Sequence, residues 1–193
     1  MKKSFSTIQH YAEKKSWKFH IILTIICLVI YSSIIIFGFV PVTKIIELSG
    51  YSTSDLQNAM VRSVADTVLL AFESVINYVI LLSILDYVFI VAGFVLFISF
   101  NAMIFKALIK YQKFLWVPLL GVILTIVSRS LDSLENLWTI LIYSNPENYA
   151  TFLLPTVHYT GLLKWGVVGV EYTTVLVGLI IVIVLKLKQK KEK

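Results

Sequence analysis

The stretch FLWVPLLGVILTIVSRSLDSLENLWTILIY, residues 114–143, decides how this chain is read. Its first part, Phe114 to Ser128, carries no charge but has only 15 residues. At about 1.5 Å rise per residue that is too short to cross roughly 30 Å of hydrocarbon. The next part, Arg129-Ser-Leu-Asp132-Ser-Leu-Glu135-Asn136, reads by hydropathy alone as a polar loop. Its periodicity says helix. No Gly or Pro interrupts Val122 to Asn145, and the charges recur every three residues with leucines between them. At 100° per residue, Thr125, Ser128, Arg129, Asp132, Ser133, Glu135 and Asn136 share an arc of about 160°, and Leu131, Leu134, Leu137 and Trp138 fill the remainder. The stretch is therefore predicted to be one spanning helix with a polar stripe.

The rest of the chain fits that reading. Of its 193 residues, 58% are hydrophobic and 15% charged, and the mean hydropathy is +0.86, which excludes a large soluble domain. The expected fold is all-α: a four-transmembrane-helix bundle with an additional amphipathic helix on the outer surface, in a single membrane domain, 1–193. The predicted layout is a cytoplasmic tail (1–18), a first span (19–43), an outer loop with the amphipathic helix (44–75), a second span (76–105) and a cytoplasmic loop (106–113). The third span (114–143), a second outer loop (144–161), the fourth span (162–185) and a cytoplasmic tail (186–193) follow. The uncharged run Phe19 to Thr43 is too long for a signal peptide and should stay as an anchor. Ser54 or Asp55 is a candidate N-cap, and Leu56, Met60, Val64 and Val68 mark the surface helix.

Orientation follows from the basic residues, which are retained on the cytoplasmic side. The N-terminal tail (Lys2, Lys3, Lys14, Lys15, Lys18), the middle loop (Lys106, Lys110, Lys113) and the C-terminal tail (Lys186, Lys188, Lys190, Lys191, Lys193) hold most of the 17 lysines and arginines. The outer connections keep Lys44 and Arg62. Both termini are predicted to be cytoplasmic, in the cell membrane or, in a eukaryotic host, the endoplasmic reticulum membrane. There, Lys190 and Lys191 also match a dilysine retrieval signal. The pI near 9.3 is read as attraction to anionic headgroups, with no nucleic-acid partner expected.

Charges inside the spans are the informative feature, since each costs about 2.5–3.5 kcal/mol to insert near a helix centre. Ser83, Asp86, Gly93 and Asn101 share a face of the second helix, and Lys164, Glu171, Thr174 and Gly178 share one on the fourth. Counted from the outer ends, Asp86, Asp132, Glu135 and Glu171 lie roughly 10–17 Å deep and can form one layer with Lys164 and Arg129. Two readings follow. In the first, buried ion pairs, Arg129 with Asp132 or Glu171 and Lys164 with Glu135 or Asp86, fix helix register. In the second, the excess of acids marks a polar cavity formed by Asp86, Arg129, Asp132, Glu135, Asn136, Lys164 and Glu171 that opens outward and holds a headgroup, ion or reacting bond.

The order of these features resembles a family of small four-span membrane proteins, mainly prokaryotic and of uncharacterised function. The matching pieces are Gly50-Tyr51-Ser52, Asp86, Asp132-Ser-Leu-Glu135-Asn136 and Lys164-Trp165, covering about Phe39 to Leu185. The resemblance implies a shared fold and a common polar site, and no activity. In layout alone the chain is also similar to emopamil-binding and sigma-2-type membrane proteins, which hold sterol-like ligands.

Other motifs are absent: there is no HExxH, GxSxG, P-loop or GxGxxG. One cysteine, Cys27, makes no internal disulfide and reads as packing, and no metal or cofactor is expected. His158 is placed in the outer loop, solvated or capping the cavity. Gly161, Gly166, Gly169 and Gly178 suggest close helix contact on the fourth span, and Trp17, Tyr111, Trp116, Tyr143 and Trp165 read as interfacial anchors. Three functions stay open. One is binding or modifying a lipid-like ligand, with Asp86, Asp132 and Glu135 as acid, base or headgroup ligands and Arg129 and Lys164 orienting it. Another is a non-catalytic subunit whose buried charges pair with a partner's spans. The last is a small proton-coupled transporter, for which four spans leave little room without a homo-oligomer. The expected partners are membrane lipids, a second copy or a membrane partner protein.

Overall fold

The computed structural model describes residue 10 and residues 14–191, so Lys2, Lys3 and Lys193 of the orientation argument lie outside the described residues. Within them every regular element is helical. Helix α1 (Trp17–Ser33) passes through a π-helical turn (Ile34–Phe39) into α2 (Val40–Glu47), and two short elements follow, α3 (Thr53–Asn58) and α4 (Arg62–Phe72). A 3₁₀ turn (Glu73–Val75) joins α4 to α5 (Ile76–Leu108), and a second (Gln112–Phe114) precedes α6 (Trp116–Ser144) and α7 (Leu153–Lys191). Four helical stretches, Trp17–Glu47, Arg62–Leu108, Gln112–Ser144 and Leu153–Lys191, are long and apolar enough to cross a membrane. The fold is thus an all-α four-helix bundle.

The distribution of side chains is inverted relative to a protein folded in water. Ile22, Phe37, Val91, Leu163 and Val184 face outward, while Ser99, Thr125, Ser128 and Glu171 are fully buried. In lipid an apolar exterior costs nothing, and a polar group is stable only where protein covers it. Many of the Ser and Thr hydroxyls are satisfied locally, by donating to the carbonyl four residues back: Ser83 to Val79, Ser133 to Arg129, Thr139 to Glu135 and Thr174 to Val170.

Several boundaries depart from the sequence reading for identifiable reasons. The first long helix continues past Thr43 to Glu47 and contains Pro41. Proline has no N–H for the carbonyl one turn back, and its ring collides with that carbonyl. The turn ahead of it widens accordingly, and the Val40 amide reaches the Ile35 carbonyl. The amphipathic helix expected between the first two spans is two pieces, because Ala59 and Val61 are extended. Leu56 and Val68 are buried, whereas Met60 and Val64, expected on the same stripe, are exposed. Its N-cap is Ser52, neither Ser54 nor Asp55: Asp55 stands at N3 and accepts the Ser52 amide at 2.6 Å in a capping box. This hydrogen bond holds the Asp55 carboxyl below the usual carboxylate range. The connection predicted over residues 144–161 is shorter, since α7 begins at Leu153 and takes in Pro155 and His158. Pro155 is tolerated because first-turn amides have no intrahelical partner to lose.

The chain divides into two compact units. The first comprises Val29–Ala92 and Arg129–Trp165. Its core gathers Val42 and Ile46 of α2, Leu56 of α3, Ala65, Val68 and Phe72 of α4, Val79 of α5, Ile142 and Tyr143 of α6, and Leu154 and Val157 of α7. The connection between α6 and α7 is held to α4 through one aromatic ring: Arg62 lies over Tyr149 at 5.0 Å, and the Tyr149 hydroxyl donates to Asp66 at 2.9 Å.

The second unit comprises the stretch up to Leu28, Gly93–Ser128 and the chain from Gly166 onward. Phe97, Ile104, Phe105, Leu108, Leu115 and Val175 form its core, with Tyr172 edge-on to Phe97 at 5.0 Å. Close approach needs glycine at two places. A Cβ on Gly121 would fall 2.0 Å from the Asn101 side-chain oxygen, and one on Gly178 would fall 3.0 Å from Ile104. Of the four glycines expected to mark contacts on α7, Gly178 and Gly161 do so, but Gly166 and Gly169 face open space.

Candidate functional site

The site-bearing unit contains a charge cluster and a cavity beside it. The stripe predicted on residues 125–136 is real: Arg129, Asp132, Glu135 and Asn136 are buried, while Leu134 and Leu137 of the same helix face outward. Lys164, at the third turn of α7, reaches two of these acids, with Nζ 3.0 Å from Asp132 Oδ1 and 2.5 Å from Glu135 Oε2. Arg129 Nη1 lies 3.9 Å from Asp132 Oδ2, one turn along α6. The expected pairing is thereby sharpened, because Lys164 serves Glu135 and Asp132 together. Asp86 instead accepts the Asn136 amide at 2.6 Å.

Glu135 is the most enclosed of these acids. Its second oxygen accepts the Gln57 amide at 2.8 Å, and its carboxylate packs 3.3 Å from where a Cβ on Gly161 would stand. The small residue on α7 therefore makes room for the acid of α6. A carboxylate shared between an ammonium and an amide is stable away from water because both oxygens have partners. Tyr87 of α5 adds a further tie, donating to the Ser133 carbonyl at 3.1 Å.

Next to Asp86 and Asn136 lies a cavity of about 280 Å³. Ser83, Asp86, Asn136, Thr139 and Tyr143 line one part, Gln57, Thr53 and Thr43 another, and Phe39 and Leu82 are its apolar members. Phe39 ends the π-helical turn, so the irregularity forced by Pro41 sits at the wall of the cavity. This volume falls just below that of pockets for drug-sized ligands, about 300–1,000 Å³.

Of the predicted site residues, Asp86 and Asn136 line the cavity, whereas Asp132, Glu135, Lys164 and Arg129 form the ion-pair cluster. Glu171 belongs to the other unit, where it is fully buried and hydrogen-bonded at 2.8 Å to both the Thr125 and the Ser128 hydroxyl. His158 is half-buried on α7, with its ring edge-on to Tyr159. The sequence reading missed several lining residues, Thr53 and Thr139 among them, and two show why. Gln57 comes from a short surface helix, and no periodicity could have aimed it at Glu135. Tyr143, predicted to be an interfacial anchor, is a core residue with 3% of its surface exposed. Its ring packs 6.2 Å from Phe72, and its hydroxyl has no hydrogen-bond partner among the described residues.

These features define a class: an all-helical protein of membrane-spanning build with a polar cavity supported by buried ion pairs. No protein-family model, curated protein or solved structure matches the chain. The resemblance to small four-span membrane proteins therefore rests on its short motifs alone.

Proposed function

We propose that this protein is a multi-pass protein of the cell membrane, with both termini cytoplasmic, that binds the polar head of a lipid-like ligand in the cavity beside Asp86. The observation that carries the reading is the cavity itself, a space of about 280 Å³ lined by carboxylate, amide and hydroxyl groups within helices whose outer faces are apolar. A site of that kind suits an amphiphile, whose chains stay in the bilayer while its head exchanges water for fixed polar partners. Lys164, Asp132, Glu135 and Arg129 then act as the frame that holds α6 and α7 in register around the site. The alternative, a subunit whose buried charges await a partner's spans, loses its motive, because those charges have partners within the chain.

The test is extraction in mild detergent followed by mass spectrometry of what is retained. The wild type should carry a defined amphiphile through purification, and Ser83→Leu, which fills the cavity, should lose it while keeping its thermal stability. Equal retention by both would overturn the proposal. A stoichiometric protein partner with no retained lipid would favour the subunit reading.

A further inference from the structure

A hydrogen-bond inventory of the cavity wall narrows what it can take. The Asn136 amide donates to Asp86, and the Gln57 amide donates to Glu135. Flipping either amide would set its oxygen against a carboxylate oxygen, so both orientations are forced by charge. Each amide is left with its carbonyl oxygen as an acceptor and a second N–H as a donor. The Ser83 and Thr139 protons are likewise committed, to the carbonyls of Val79 and Glu135. A hydroxyl whose proton is taken can only accept. Asp86, as a carboxylate, also accepts only, and its partner is a neutral amide. Among the described residues, no lysine or arginine lines the cavity. The wall thus offers a ligand a negative charge and more lone pairs than donors, the donors being the second N–H of each amide and the Thr43 and Thr53 hydroxyls.

A further hydroxyl belongs to an aromatic member of the wall. Tyr143 lines the same space, and its hydroxyl is buried with no hydrogen-bond partner among the described residues. A buried hydroxyl without a hydrogen bond costs about 1–3 kcal/mol, so its presence points to a ligand atom that completes it.

We infer that the cavity receives a primary ammonium group, bound by the Asp86 carboxylate, the carbonyl oxygens of Asn136 and Gln57 and the Ser83 and Thr139 hydroxyls, with Tyr143 bonding to an adjacent oxygen of the ligand. A primary ammonium supplies a positive charge and three N–H donors, whereas an anionic group would be set against the Asp86 charge. A quaternary ammonium supplies the charge without the donors and leaves the acceptors unmatched. The inference deepens the lipid-binding proposal and rests on it for the source of the ammonium. Its chemistry is shared by an ethanolamine-type headgroup and by a free amine.

The full-length protein, delipidated in detergent, is offered dioleoyl phosphatidylethanolamine, phosphatidylcholine, phosphatidylglycerol or diacylglycerol and examined by native mass spectrometry. Phosphatidylethanolamine should be retained about tenfold better than the other three, the scale of one charge-assisted hydrogen bond set. Asp86→Asn should abolish the preference, and Tyr143→Phe should weaken binding roughly fivefold without changing selectivity. Melting temperatures of both variants check that they fold, and Tyr143→Phe keeps the test open if Asp86→Asn does not. Soluble ethanolamine is tested separately for thermal stabilisation that depends on Asp86: stabilisation points to a free amine, and its absence, with phosphatidylethanolamine retained, to a headgroup. Equal retention of phosphatidylcholine, or preference for phosphatidylglycerol or diacylglycerol, would overturn the ammonium and leave the lipid proposal standing. Retention of none of the lipids, with stabilisation by ethanolamine, would overturn the lipid proposal and leave the ammonium. Failure of both would overturn both.

Discussion

The Lys164 ammonium lies 2.5 Å from the Glu135 carboxylate, on a helix that carries Gly161 where that carboxylate needs room. The contact joins residues 29 positions apart. It couples the register of α6 to that of α7, and the hydrogen bond from Gln57 adds the short helix α3 to the same carboxylate.

Removing the cation should be severe. Lys164→Met leaves two buried acids without their ammonium, and the expected loss is about 3–5 kcal/mol, read as a lower melting temperature in detergent. Adding Glu135→Gln should recover part of it, because a neutral amide is cheaper to bury than an unpaired carboxylate. A coupling below about 0.5 kcal/mol in this double-mutant cycle would show that the two residues are neighbours without being partners.

Close packing in the second unit makes its own prediction. A methyl group at Gly121 would overlap the Asn101 side chain, which is itself buried and donates to the Phe97 carbonyl at 2.9 Å. Gly121→Ala should therefore destabilise by about 1–3 kcal/mol, the usual scale of overpacking. Truncation of the obstacle, Asn101→Ala, should be tolerated better in the Gly121→Ala background than in the wild type. Additive losses would mean that the two helices part easily at this point.

The connection between α6 and α7 should respond to alkaline pH. Burial, and then the hydrogen bond to Asp66, push the Tyr149 phenol up to about 12. A phenol raised above its unfolded value near 10 contributes stability that is whole below pH ~10 and is lost as pH climbs through the folded value. The difference in phenolate absorbance between wild type and Tyr149→Phe should show one tyrosine titrating late, and Asp66→Asn should bring it earlier. An ordinary titration for Tyr149 in the wild type would contradict its buried, hydrogen-bonded placement.

The proposed orientation is open to chemical labelling. In a Cys27→Ala background, a cysteine replacing Ser52 should react with an impermeant thiol reagent on intact cells, and one replacing Gln189 should react only after permeabilisation. The reverse pattern would invert the topology, and with it the leaflet from which the cavity is reached.

The four long helices and the polar stripe of α6 were legible in the sequence, since both depend on local properties: apolar runs of sufficient length, and charges repeating at helical spacing. Arg129, Asp132, Glu135 and Asn136 are buried because a helix of that pattern in lipid can hide its polar face only against protein. Which acid takes which partner is not a local property. Lys164 could have reached Asp86 or Glu135 by spacing alone, and only the packing of α6 against α7 at Gly161 placed it on Glu135 and Asp132. The turn of Gln57 toward Glu135 depends on the break at Ala59–Val61, and the burial of Tyr143 depends on Phe72 arriving from α4. The cavity is a space left between side chains from α2, α3, α5 and α6, together with the turn before α2. Such a space has no sequence pattern, because its shape is set by how those helices meet.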